Sequence, residues 1–200
     1  MRGRPPQIQS DDLLDAARDV FLRDGQATTT AKIAEAAGVS EGILFYRYKT
    51  KDGLLAAVIL RETRVPPRLV ELSRAAGTRT PAENLLEIVF ELIDAISRAH
   101  RFISLAESGS WSHEVHRILF EEETPPPVRN VKLIATYLAG EMRLGRLGRF
   151  DAVTAARTVS GAVVEHVRFG PKPTQAANRA FARSLVNLLL HGMARIEPQE

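Results

Sequence analysis

The spacing of apolar residues is the feature of this sequence that most restricts its fold. Leucine, isoleucine, valine and alanine recur three and four residues apart along most of the 200 residues. This spacing gives a helix one apolar face. The alternation of apolar and polar residues that indicates a half-buried strand is missing from the sequence. The sequence therefore predicts an all-α fold.

Capping residues and helix breakers divide this pattern into separate helices. Serine, threonine or aspartate precedes most apolar segments, and glycine or proline follows several of them. Four short helices are predicted to begin near Ser10, Thr30, Ser40 and Lys51, the last one ending before Pro66 and Pro67. Longer helices are predicted at about residues 81–99, 101–120, 128–144, 151–169 and 174–196. EEETPPP, at 121–127, is predicted to be a loop because three prolines are not expected inside a helix.

The short and the long helices predict two domains. Residues 8–55 hold the first three short helices and the start of the fourth, and residues 56–200 hold a larger helical bundle. The absence of cysteine excludes disulfides, thiolate zinc sites and a cysteine nucleophile, and it suits a reducing compartment. The longest apolar run, LLAAVIL, is far shorter than the roughly 20 residues of a membrane span. MRGRPPQIQ lacks the apolar segment of a signal peptide, so we expect a cytoplasmic protein without a membrane partner.

The segment VSEGILFYRYKTK, at 39–51, places aromatic side chains beside basic ones. On a helical wheel, Leu44 and Tyr48 share one face, which we expect to pack inward. The opposite side of this helix carries Gly42, Ile43, Tyr46 and part of Phe45. Outward aromatic residues suit a binding surface that makes close contact with a flat partner. The alternative is an ordinary helical bundle with Phe45 and Tyr46 in its core.

The two short helices on either side of Gly38 have the arrangement of a helix-turn-helix, at about residues 30–49. The second helix of such a motif enters the major groove of DNA. Gly42 permits a close approach, and Tyr46 can donate its hydroxyl to a phosphate. Lys49 and Lys51 stand at the start of the next helix, where free N–H groups favour a phosphate. Arg2 and Arg4 add a basic N-terminal arm.

Residues 10–55 resemble the N-terminal domain of TetR-family transcriptional regulators. The resemblance rests on the AA…F…G first helix, the T…IA…AGVS turn, the G-x-L-aromatic-aromatic third helix and the K-x-x-L-L start of the fourth. It implies an N-terminal three-helix DNA-binding domain, followed by a helical domain for ligand binding and dimerisation. It also implies a homodimer on a palindromic operator, released by a small molecule. An activator, or a regulator that answers to a protein partner, is the alternative.

The family's DNA contacts can be carried over by position. Phe45 replaces the tyrosine with which many members bind a phosphate, so the hydrogen bond is assigned to Tyr46. Ala31 is too short to bond to a base edge. The DNA-contacting residues implied in this way, with the basic arm, are Thr30, Ala31, Lys32, Ser40, Glu41, Gly42, Ile43, Phe45, Tyr46, Arg47, Lys49, Lys51, Arg2 and Arg4.

The two helices nearest the C-terminus are apolar enough to form either a core or a dimer interface. The resemblance favours a four-helix interface across a two-fold axis. The residues expected there are Val159, Val163, Val167, Leu185, Leu188, Leu189 and Met193.

An effector pocket is expected among the central helices, lined by aromatic residues and a few polar groups. The candidates are Phe90, Phe102, Glu107, Trp111, Tyr137, Glu165 and His166, with Phe120, His100 and His113 beside them. A plain helical core is the alternative for each. His113 and His116 have the spacing of metal ligands but lack a third, so no metal and no cofactor are expected. Motifs for a nucleophile or a phosphate loop are missing, so an enzyme is not expected.

Overall fold

The structure, a computed structural model, describes residues 10–107, 117, 126–170 and 174–192. These residues form helices and connecting turns without any strand, which confirms the all-α prediction. The helices are α1 (Ser10–Asp24), α2 (Thr30–Ala37), α3 (Glu41–Tyr48), α4 (Lys51–Glu62), α5 (Pro67–Leu72), α6 (Pro81–Glu107), α7 (Pro126–Arg143), α8 (Ala152–Phe169) and α9 (Gln175–His191). Within the described ranges, none of them combines the length and the apolar character that a membrane crossing requires.

The chain folds into two compact units. Among the described residues, the first unit holds 10–64, 98–107 and Arg117, and the second holds 65–97, 126–170 and 174–192. The first unit extends past residue 55, where the sequence predicts a boundary. The reason is that Val58 and Ile59, in the second half of α4, are fully buried in its core.

The first unit is built around one apolar core. Leu13, Phe21, Ile33 and Leu55 come from α1, α2 and α4 and have almost no exposed surface. Arg61 fastens the end of α4 to α1: its guanidinium donates to the Asp11 carbonyl at 2.9 Å and to the Asp15 carboxylate at 2.9 Å. The N-terminal helices are therefore held in a fixed arrangement.

The second unit has a separate apolar core and a buried polar cluster beside it. Residues of α5 to α9 form the core, among them Leu69, Leu92 and Val159. Glu141 is fully buried, accepts a hydrogen bond from the Gly77 N–H at 3.2 Å, and forms an ion pair with Arg146 at 3.2 Å. This carboxylate thereby ties the loop before α6 to the C-terminal end of α7.

Three helix boundaries differ from the sequence predictions. α6 is continuous through residues 99–101, because it contains no glycine or proline after Pro81. α7 begins at Pro126 and includes Pro127. Proline is tolerated in a first helical turn, where its missing N–H has no intrahelical partner to lose. The six-residue helix α5 was not predicted, and it too begins on a proline, Pro67.

Candidate nucleic-acid interface

Local hydrogen bonds define the two helices of the predicted motif. The Thr29 hydroxyl accepts from the backbone N–H of Lys32 at 3.3 Å and so caps the start of α2. Gly38 ends α2 in the left-handed region, with φ of 64°, where a residue with a side chain is strained. The Val39 N–H then bonds back to the Ala34 carbonyl at 2.9 Å. The turn between α2 and α3 is therefore encoded by its own residues.

The faces of α3 follow the prediction, with one exception. Leu44 is buried in the core of the first unit, and Tyr48 is half-buried against it. Burial raises the pKa of the Tyr48 phenol. Tyr46 is 80% exposed and Phe45 is 46% exposed, as the wheel predicts. The prediction of an outward Ile43 is wrong: its side chain is half-buried and packs against the same core.

Gly42 lies on the open side of α3. A Cβ atom placed there would meet only the Ser40 hydroxyl, at 3.7 Å, which is ordinary contact. The backbone of Gly42 also avoids the positive φ that would demand glycine. The fold of the described residues therefore gives no reason for a glycine at this position.

The cations that follow α3 are anchored by the protein itself. The Lys49 ammonium donates to the Tyr46 carbonyl at 3.1 Å and lies 5.5 Å from the centre of the Tyr46 ring. The Lys51 ammonium donates to the Thr28 carbonyl at 3.0 Å. The Thr50 hydroxyl caps α4 by accepting from the Gly53 N–H at 2.8 Å. Lys51 thus joins the start of α4 to the loop before α2.

Two polar pairs flank the motif. The Lys32 ammonium lies 2.8 Å from the Asp24 carboxylate. Hydrogen bonds from Arg23 and from Lys32 lower the pKa of Asp24 to about 2. The Thr30 hydroxyl donates to the Glu41 carboxylate at 2.7 Å and links the first residues of α2 and α3. Ser40, Ala31 and Arg47 are exposed, whereas Arg2 and Arg4 lie outside the described residues.

The described candidates for the effector pocket are distributed over the cores of both units. Phe102 is fully buried in the core of the first unit, while Tyr137 is fully buried in the core of the second. Burial raises the pKa of the Tyr137 phenol well above its usual range. Glu165 is exposed to solvent rather than turned into a cavity. Trp111, Phe120 and His113 lie outside the described residues, as does the side chain of Glu107.

Phe90 and His166 also belong to the core of the second unit. Phe90 is half-buried there. The Nε2 atom of His166 lies 3.0 Å from the Asn178 side-chain oxygen, and its ring stacks on Phe181 with centroids 4.0 Å apart. These contacts make His166 a satisfied structural histidine. His100 lies 3.2 Å from the Ser104 hydroxyl. Among the described residues, no cluster of carboxylate and imidazole side chains is arranged to hold a metal.

A groove of about 290 Å³ in the second unit was not predicted. Its lining is mainly apolar, with Asp151 and two threonines as polar groups. The RLGRLGRF segment is the sequence signal that could have found it, because Leu147 and Phe150 of this segment contribute to its lining. The lining residues are Leu85, Leu138, Leu147, Phe150, Asp151, Thr154, Ala155, Thr158, Val159, Leu189 and Leu190.

Several predicted interface residues have no surface to offer a partner. Val159 and Val163 are fully buried within one chain, and Leu185 is nearly so, because they face the core rather than the outside of α8 and α9. Val167 and Leu189 are half-buried against that core. Met193 lies outside the described residues. Of the predicted set, Leu188 is exposed, and further exposed apolar surface on these helices comes from Val153, Val164 and Phe169.

A capped helix, a glycine turn and an outward-facing second helix define a helix-turn-helix DNA-binding domain. Residues 13–58 match the family model described as bacterial regulatory proteins, tetR family. The chain is 32% identical over 104 residues to the HTH-type transcriptional regulator BetI 1 of Chromohalobacter salexigens, covering 52% of this chain and 50% of that protein. It thus spans about half the length of this curated relative.

Solved structures share the fold along nearly the whole chain. A TetR-family transcriptional regulator from Mesorhizobium loti has a TM-score of 0.72 at 17% identity, covering 90% of this chain and 94% of that one. The FadR regulator of Bacillus subtilis, in complex with stearoyl-CoA, has a TM-score of 0.62 at 18% identity, covering 93% and 100%. At such identities the likeness concerns the fold. The sequence matches add the family: residues 13–58 match the tetR family model, and together these findings support assignment to the TetR family of transcriptional regulators.

Proposed function

We propose that this protein is a repressor that binds a palindromic operator as a homodimer and leaves it when a small, largely apolar molecule binds. The DNA-binding face of α3 carries this proposal. Its Leu44 is fixed in the core, while Tyr46 is 80% exposed beside an unobstructed glycine. A helix used only for packing would bury such an aromatic residue. Because its target is the chromosome, we place the protein in the cytoplasm.

The cations beside α3 support phosphate contacts on either side of a groove. Residues 42–51 carry Arg47, Lys49 and Lys51 and no acid. Lys51 stands at the first residue of α4, where the free N–H groups of the helix already favour an anion. Phosphate contacts of this kind position a protein on DNA without reading sequence. Recognition of the operator then depends on the residues at the starts of α2 and α3.

A second copy of the chain is the partner that the C-terminal helices favour. Val164 on α8 and Leu188 on α9 expose apolar surface that one chain leaves uncovered. Paired helices across a two-fold axis would cover this surface. A dimer would also present two copies of α3 to successive major grooves, roughly 34–36 Å apart.

The effector is expected to be a molecule with an apolar chain. The groove in the second unit is lined mainly by leucine and other apolar residues. FadR of Bacillus subtilis, which shares the fold, is described in complex with stearoyl-CoA. A fatty acyl chain is therefore the first ligand class to test.

The test is a footprint of the full chain on DNA upstream of its own coding region. The footprint is repeated with cell extract and with acyl-CoAs of several chain lengths. We expect protection without these additions and its loss with at least one of them. Protection that persists under all additions would overturn the small-molecule part of the proposal. Transcription that rises when the protein is bound would favour the activator.

Tyr46→Phe tests the hydroxyl assigned to a phosphate. The substitution keeps the ring and removes only the donor, so α3 is expected to fold as before. We expect a weakening of about 5- to 10-fold on every duplex, the size of one hydrogen bond. Titration of labelled duplexes by fluorescence anisotropy measures this change. Tyr48→Phe is the matched control, because it removes the same hydroxyl from the face of α3 that packs against the core, and it should leave the affinity unchanged. An unchanged affinity of Tyr46→Phe would show that the Tyr46 hydroxyl does not bind a phosphate.

Lys51→Met tests the cation at the start of α4. It keeps most of the aliphatic stem and removes the charge. The slope of log affinity against log salt should flatten by about one. Loss of the bond to the Thr28 carbonyl should also lower the free energy of unfolding by about 1 kcal/mol. Lys132→Met, at an exposed lysine of α7, is the control; a lower stability with an unchanged salt slope would make Lys51 purely structural.

A further inference from the structure

The starts of α2 and α3 offer few side chains that can read a base edge. Ala31 and Gly42 have no polar group, and Ile43 is half-buried. Lys32 is paired with Asp24 at 2.8 Å. Glu41, the first residue of α3, is exposed and carries two acceptor oxygens.

The carboxylate of Glu41 is held in place from the neighbouring helix. The Thr30 hydroxyl donates to its Oε2 atom at 2.7 Å, across eleven residues of sequence. The Oε1 atom is the second acceptor of the same carboxylate. A glutamate on a helix surface normally samples several rotamers, and this bond restricts it. One acceptor is thus presented in a defined direction at the start of the recognition helix.

A fixed carboxylate on a DNA-facing surface can bind hydrogen-bond donors and not acceptors or anions. It repels phosphates, so it does not contribute the general affinity that Lys49 and Lys51 provide. In the major groove it needs a donor. Guanine offers two acceptors there, thymine offers an acceptor and a methyl group, and adenine places the acceptor N7 beside its amino group. Cytosine offers its N4 amino group without a neighbouring acceptor.

We propose that Glu41, oriented by Thr30, reads the N4 amino group of a cytosine in each half of the operator. The proposal rests on the DNA-binding function above and adds one base to it. Glu41 is the specificity-determining residue, and Thr30 is the positioning residue. The competing interpretation is that the Thr30–Glu41 bond only braces α2 against α3.

Selection from a library of random duplexes tests this proposal and does not require the operator sequence. The full chain and three variants, Glu41→Gln, Thr30→Val and Glu35→Gln, are each used to enrich duplexes. We expect the wild-type chain to enrich a cytosine at one position of each half-site. Replacing that C·G pair should weaken its binding by about 5- to 150-fold, the usual effect of one mismatched pair.

The variants separate base reading from bracing. Glu41→Gln keeps an oxygen that can accept from the Thr30 hydroxyl, so the hydrogen bond between α2 and α3 would be retained. Its amide prefers adenine, and the enriched base should change from cytosine to adenine at that position alone. Thr30→Val should reduce the preference for cytosine without creating a new one. Glu35→Gln removes an exposed carboxylate from α2 instead of α3, and it should leave the enriched base at every position unchanged.

The outcomes also separate this inference from the function on which it rests. A wild-type chain that enriches no sequence would overturn the proposed function itself. A wild-type chain that enriches a site, with the same bases enriched by Glu41→Gln, would leave the function standing and overturn the role of Glu41. A change confined to the predicted position supports both.

Discussion

Gly42→Leu is expected to abolish specific DNA binding while leaving the fold intact. A side chain at this position would project from the open face of α3, where only the Ser40 hydroxyl lies nearby, at 3.7 Å from the Cβ position. Leucine also favours a helix more than glycine does, by up to about 1 kcal/mol. The new side chain would keep α3 out of the groove. We expect the affinity for the selected duplex to fall by about 1000-fold or more, to the level of non-specific binding.

The control for this substitution is Gly148→Leu. Gly148 is also exposed, a Cβ atom there would meet nothing within 4 Å, and it lies in the second unit. Circular dichroism and chemical unfolding should show both variants folded, and Gly148→Leu should bind DNA like the wild type. A folded Gly42→Leu that retains wild-type affinity would show that α3 does not approach the groove.

Arg146→Met is expected to destabilise the second unit. Glu141 is fully buried, and Arg146 is the cation 3.2 Å from its carboxylate. Removing one partner of a buried pair leaves an uncompensated charge, which usually costs about 3–5 kcal/mol. The side chain of Arg146 is itself 29% exposed, so water screens part of the pair. We therefore expect unfolding in urea to show a loss of about 2–3 kcal/mol.

A second substitution identifies the cause. Glu141→Gln removes the buried charge and keeps an oxygen that can accept from the Gly77 N–H. In the double variant most of the lost stability should return, because no charge is left unpaired. Arg149→Met is the control, since Arg149 is an exposed arginine of the same loop. If the double variant loses as much free energy of unfolding as the two single variants together, the charge pair is not the source of the loss.

The faces of α3 were predictable because they depend on local geometry. A period of 3.6 residues places Leu44 and Tyr48 together and Tyr46 opposite them. Ile43 was mispredicted because it stands at the edge between the two faces. The width of the buried face of a helix depends on the neighbouring helices that pack against it. A helical wheel of a single helix carries no information about these neighbours.

The C-terminal helices show the same limit more strongly. Their apolar residues indicate that one side of each helix is buried, but not whether the same chain or a second copy covers it. Val159 and Val163 face the core of their own chain, whereas Val164 and Leu188 lie at its surface. The groove was missed because its walls come from segments as distant as Leu85 and Leu190. A sequence pattern reports neighbours along a helix and does not report such distant ones.

The central claim is that α3 enters the major groove, and methylation protection tests it directly. Dimethyl sulfate modifies guanine N7, an atom that faces the major groove. On a duplex enriched by the wild-type chain, we predict protected guanines in two clusters, one helical turn or roughly 34–36 Å apart. Gly42→Leu should remove both clusters. A bound wild-type complex in which every guanine N7 stays reactive would contradict the account.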